Sequence, residues 1–148
     1  MLPESIELQI VTPQRHVLQE TVLAIEIPGK EGYLGVLPGH APLITELGIG
    51  ILAYRTATAT RYLTIIDGYA EILPDRVIVL AEISEKAEEI DVNRSRAAQR
   101  RAQAEMQNHA PGTPEWEDEQ LAVERAIARM GAASKAGVAG AESSGGSH

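Results

Sequence analysis

The groups able to do chemistry in this 148-residue chain are spread in a way that argues against catalysis. Its four histidines, His16, His40, His109 and His148, show none of the short spacings of a metal-ligand set. Beside a proline-rich turn, His40 reads as a satisfied turn histidine. The absence of cysteine excludes disulfides and thiolate metal sites. No Ser/His/Asp constellation is evident, and no Walker-type glycine loop is present to cradle phosphates for hydrolysis. Glu115, Glu117, Asp118 and Glu119 follow Thr113-Pro114, so they read as the opening turns of a helix, where carboxylates complement the dipole. A catalytic carboxylate pair is the weaker reading of that run. Arg94, Arg96, Arg100 and Arg101 form the densest basic stretch, suited to a solvated helix face or to contact with an acidic surface.

The elements that carry these residues fall into two parts. Up to Ser84 the chain is rich in Ile, Leu and Val; from Glu85 onward alanine and charge dominate. The net charge is −8, with no Phe and a single Trp. Such a chain offers neither a phosphate-binding field nor a stacking platform, which excludes nucleic acid as a partner class. No run of about 18 apolar residues occurs, so no direct membrane insertion is expected. Met1-Leu2-Pro3-Glu4-Ser5 has neither the basic region nor the apolar core of a signal peptide.

In the first part, Ile6, Leu8 and Ile10 alternate with Glu7 and Gln9, the period of a half-buried strand. Further strands are read at Val17-Leu18, Val22 to Ile27, Leu43 to Leu47, Ile49 to Tyr54, Tyr62 to Ile66, Tyr69 to Leu73 and Val77 to Ala81. Pro28-Gly29-Lys30-Glu31-Gly32, Thr56 to Thr60, Asp67-Gly68 and Pro74-Asp75 are the turn signals between them. Eight to ten short strands predict an all-β sandwich or flattened barrel over residues 1–84. Its centre is Gly32-Tyr33-Leu34-Gly35-Val36-Leu37-Pro38-Gly39-His40-Ala41-Pro42-Leu43, where a strand turns sharply at Pro38-Gly39. A rigid apolar corner of this kind is either a buried turn or a docking edge.

Residues 85–131 read as a two-helix antiparallel hairpin. Asp91 caps the first helix, Ala110-Pro111-Gly112 breaks it, and Thr113 with Pro114 opens a second that stops at Gly131. The fold class is therefore α+β. Ala97, Ala98, Ala102 and Met106 on one helix, with Leu121, Ala126, Ile127 and Met130 on the other, make a thin apolar face. Alanine buries little area, so the hairpin is expected to be weakly held and able to move. Gly, Ala and Ser fill residues 132–148, a composition expected to be disordered.

The motif Gly32-x-Leu34-Gly35-Val36-Leu37-Pro38-Gly39-His40-Ala41-Pro42-Leu43, followed by Thr45, Leu47 and Gly48, resembles the epsilon subunit family of F-type ATP synthases. The later element Asp67-Gly68-Tyr69-Ala70-Glu71-Ile72 resembles the same family, with Asp67 where the family has its first glycine. The likeness runs over about residues 5 to 130 and implies a non-catalytic central-stalk subunit that couples proton translocation to ATP synthesis. It implies that Leu37, Pro38, His40 and Pro42 face the gamma subunit, while Lys30, Glu31, Gly32 and Tyr33 meet the membrane rotor ring. It implies a hairpin that restrains ATP hydrolysis through the catalytic head subunits. It also implies a peripheral position on the cytoplasmic side of an energy-transducing bacterial plasma membrane. No cofactor is required by the likeness, but some members bind regulatory ATP through Ile/Leu-Asp-x-x-Arg-Ala. Ile90-Asp91-Val92-Asn93-Arg94-Ser95 matches that motif except at Ser95. Asp91, Arg94, Arg101, Arg125 and Arg129 are the ATP ligands so implied, guanidinium pairs being suited to phosphate oxygens. Two rivals stand beside this reading. One is a stand-alone sandwich module binding a peptide or sugar, the other an enzyme.

Overall fold

A computed structural model describes residues 2–137. Seven strands come first: β1 (Ile6–Val11), β2 (His16–Val22), β3 (Ala24–Gly29), β4 (Gly32–Val36), β5 (Leu43–Arg55), β6 (Thr60–Ile72) and β7 (Arg76–Ile83). A 3-10 turn at Ala87–Glu89 leads to α1 (Val92–Met106) and α2 (Pro114–Ala136). The strands pair in the order β2-β1-β7-β6-β5-β3-β4, with β1 and β7 parallel and every other pair antiparallel.

One continuous sheet becomes a sandwich because β5 and β6 change layers. Before Gly48 the core-facing residue of β5 is Leu47; after it they are Leu52 and Tyr54, a shift of one in the alternation. On β6 the core-facing set passes from Leu63 and Ile65 to Ala70 and Ile72, the same slip. Both slips occur at one level of the ladder, since Leu47 pairs with Gly68 and Ile49 with Ile66. Asp67 takes the left-handed conformation there (φ 58°), followed by Gly68 at φ 133°. A side chain that can reach φ > 0 thus replaces the family glycine without breaking the strand. Bends of this kind let a strand leave one sheet for the other.

Seven strands replace the eight to ten expected, for the same reason. Gly48 separates two strands in the sequence reading and Asp67-Gly68 reads as a turn, yet both lie inside strands of 13 residues each. The expected hairpin tip does form at Thr56, whose backbone N–H donates to the Ala59 carbonyl at 2.8 Å. Between the layers Ile6, Leu8, Ile10, Ile27, Leu47, Leu52, Leu63, Ile65 and Ile72 are fully buried. Each such side chain contributes about 1.5–3 kcal/mol relative to exposure.

The chain divides into compact units between Lys86 and Ala87 rather than at Ser84. Glu85 and Lys86 stay with the sandwich because the Thr64 N–H donates to the Glu85 carbonyl at 2.9 Å and Lys86 bridges Leu63. In the second unit α1 and α2 pack against each other, and α2 lies against the 3-10 turn. Asp91 accepts from the Arg94 N–H at 3.0 Å, and Thr113 from the Trp116 N–H at 3.3 Å, so both expected caps form.

Helix α2 does not stop at Gly131. It continues to Ala136 and ends at Gly137, whose φ of 72° forms a left-handed cap. An interior glycine costs only about 1 kcal/mol, and Ala132 and Ala133 just beyond it are fully buried. Residues 132–136 of the expected disordered tail are therefore helical, while 138–148 lie outside the described residues. The buried stripe keeps Ala102 and Ala126 of the face read in sequence and otherwise differs from it. Val92, Ser95 and Ala102 face inward on α1, and Ala126, Ala128, Ala132 and Ala133 on α2. Ala97, Leu121 and Ile127 are exposed.

Candidate functional site: the corner, the turn and an apolar outer face

The corner between β4 and β5 is rigid and exposed. Gly39, at φ 90°, donates its N–H to the Pro74 carbonyl at 2.7 Å, which ties the corner to the β6–β7 turn. The His40 backbone N–H donates to the Leu37 carbonyl at 3.1 Å, and its Nδ1–H to the Ala41 carbonyl at 2.6 Å. His40 is thus a satisfied turn residue, as its context predicts. Leu37 and Pro42 are exposed, Pro38 and His40 half-buried. A buried turn is excluded.

The turn between β3 and β4 sits beside the same end of β5. The Lys30 N–H donates to the Glu46 carbonyl at 2.9 Å, and Lys30 Nζ meets Glu46 Oε2 at 3.0 Å. The hydrogen bond from Lys30 to Glu46, and then the Glu46 charge, raise the lysine above its ordinary value. Glu31, Gly32 and Tyr33 are exposed beside it. The Tyr33 hydroxyl, however, is not free of the fold: it accepts from the Ile51 N–H at 3.0 Å.

A third surface escaped the sequence reading. Ile44, Tyr69 and Leu80 are 71%, 56% and 55% exposed. Tyr69 stands directly opposite Leu80 on one side and Glu46 on the other, and Val11 lies beyond Leu80. Val11, Pro13, Tyr69 and Leu80 line a hollow of about 390 Å³. The signal was present, since alternation from buried Ala70 and Val79 puts Tyr69 and Leu80 on the outside, where polar residues are the rule. Finding it required knowing that these strands are neighbours.

The arginines divide. On α1, Arg94 and Arg101 are exposed; on α2, Arg125 and Arg129 are half-buried. The Asp91 carboxylate is engaged as the α1 cap. Ser95, the departure from the expected motif, is buried and donates its hydroxyl to the Asp91 carbonyl at 3.0 Å. Its place in the helix is therefore satisfied. Arg125 Nε is buried and has no hydrogen-bond partner among the described residues.

The family described as "ATP synthase, Delta/Epsilon chain, beta-sandwich domain" matches residues 5–87, and "ATP synthase, Delta/Epsilon chain, long alpha-helix domain" matches 88–134. The ATP synthase epsilon chain of Solibacter usitatus is 44% identical over 134 residues, 90% of this chain and 99% of that one. That of Koribacter versatilis is 48% identical over 110 residues, 74% of this chain and 78% of its own. Among solved structures, a chain of the Euglena gracilis mitochondrial ATP synthase (OSCP/F1/c-ring) superposes with a TM-score of 0.78 at 27% identity. The match covers 89% of this chain and 83% of that one.

Proposed function

Since this chain belongs to the ATP synthase epsilon chain family, it is a central-stalk component of the F-type ATP synthase, and we propose a division of labour between its two units. The sandwich grips the gamma subunit with the corner at Leu37, Pro38, His40 and Pro42 and with the outer face at Ile44, Tyr69 and Leu80. Its Lys30–Tyr33 turn meets the rotor ring. The hairpin restrains ATP hydrolysis by reaching the catalytic head subunits with α1, through Arg94, Arg96, Arg100 and Arg101. The chain does no chemistry of its own and lies peripherally on the cytoplasmic side of the bacterial plasma membrane. No helix among the described residues is long and apolar enough to cross a membrane.

One observation carries this reading: a corner held by backbone hydrogen bonds, continued by large apolar side chains facing outward from a well-packed sandwich. Exposed apolar patches of this sort mark protein interfaces. Leu80→Glu places a charge at its centre without touching the core. The variant is expected to keep its melting temperature and to bind gamma about 30-fold more weakly, the loss of one interface hot spot. Undiminished co-purification of the variant with gamma would remove the outer face from the interface.

A regulatory ATP site on the hairpin is favoured by the unsatisfied Arg125 Nε. A buried N–H without a partner is costly, and a phosphate oxygen reaching the guanidinium would relieve that cost. Calorimetric titration of the full chain with ATP is expected to give heat that Arg125→Ala reduces at least tenfold in affinity. No heat at millimolar nucleotide would dispose of the site.

A further inference from the structure

Strand β3 runs between β4 and β5, yet it carries Pro28, which has no N–H to offer a ladder. The β3–β5 register slips at this point, from Glu26 opposite Ala53 to Gly29 opposite Leu47. That slip leaves the Ile51 N–H without a carbonyl partner on β3, and an orphaned strand N–H is costly. Tyr33 fills the gap. It lies opposite Pro28 on β4, and its side chain crosses the proline to place the hydroxyl 3.0 Å from the Ile51 nitrogen. Gly50 makes the crossing possible, because a Cβ there would stand 2.6 Å from both Pro28 Cβ and Tyr33 Oη.

We propose that Tyr33 is a positioning residue that clamps the Lys30–Gly32 turn onto β5, so that the turn moves as one body with the sandwich. The clamp has two points. Lys30 grips β5 at Glu46 through backbone and side chain, and Tyr33 grips it at Ile51, about 17 Å further along the strand. A turn fixed at both ends resists bending under load, and a load-bearing role rests on the reading that this turn meets the rotor ring. Tyr33 therefore serves the contact from behind, through its hydrogen bond, whatever its ring touches in front.

Tyr33→Phe keeps the ring and removes the acceptor. In the full-length chain, the Ile51 amide is expected to exchange its hydrogen roughly 10-fold faster, while amides in β1 are unchanged. In the assembled synthase the variant is expected to pump fewer protons per ATP hydrolysed than the parent. Gly50→Ala, which displaces the hydroxyl but keeps the tyrosine, should do the same. Unchanged exchange at Ile51 would show that there is no clamp. Faster exchange with an unaltered pumping ratio would show that the clamp positions nothing. A separate cross-link from Glu31→Cys to the ring in the otherwise unaltered complex tests the turn's partner. Its absence would sink the rotor-ring assignment while leaving the Ile51 measurement intact.

Discussion

Gly68→Ala is expected to lower the stability of the sandwich by more than about 4 kcal/mol, a large share of what a small domain has. Gly68 sits at φ 133°, where L side chains are strained. An added Cβ would land on the Leu80 carbonyl oxygen and stand 2.8 Å from Ala81 Cα, both of them backbone. Nothing flexible can yield, so β6 and β7 must separate at the level where the layers exchange. Thermal denaturation should show a midpoint lower by roughly 15 °C or more. Asp67→Gly, one residue earlier at φ 58°, should cost less than about 1 kcal/mol. If the two variants melted alike, the layer switch at this point would be misplaced. Loss of gamma binding by Gly68→Ala is expected as well, since Tyr69 and Leu80 flank the site.

Truncation after Lys86 is expected to leave a folded sandwich that still joins the synthase but no longer holds back ATP hydrolysis. The physical ground is the composition of the core, whose members all lie between Ile6 and Ala81. Removing the hairpin takes nothing from that cluster. If the hairpin biases the catalytic head with a coupling free energy typical of allosteric pairs, hydrolysis by the assembled complex should rise about 5-fold or more. The measurement is ATP turnover of the intact complex carrying either the full or the shortened chain. Equal turnover would remove the hairpin from regulation, and failure of the shortened chain to assemble would overturn the division of labour.

Much of this arrangement was legible in advance where one residue type settles local geometry. Asp91 and Thr113 cap helices because a short side-chain oxygen reaches an unpaired N–H two or three residues on. Ile6, Leu8 and Ile10 could only be a strand with one dry face. The corner followed from proline's fixed φ and glycine's freedom. Misreadings arose where the same local signal serves two purposes. Gly48 and Asp67-Gly68 look like strand breaks whether the chain reverses or merely crosses to the opposite layer. Gly131 looks like a helix stop, but burial of Ala132 and Ala133 outweighs one glycine's cost.

The order of residues by itself determined the strand and helix periods, the caps, the corner and the family likeness, because each depends on neighbours a few positions away. Only the tertiary structure decided that two pairs of strands are single long ones, and that Tyr69 and Leu80 make one outer face. It alone revealed that the Tyr33 hydroxyl answers an orphaned N–H on β5. These features join residues far apart along the chain through sheet register, which no short-range pattern encodes.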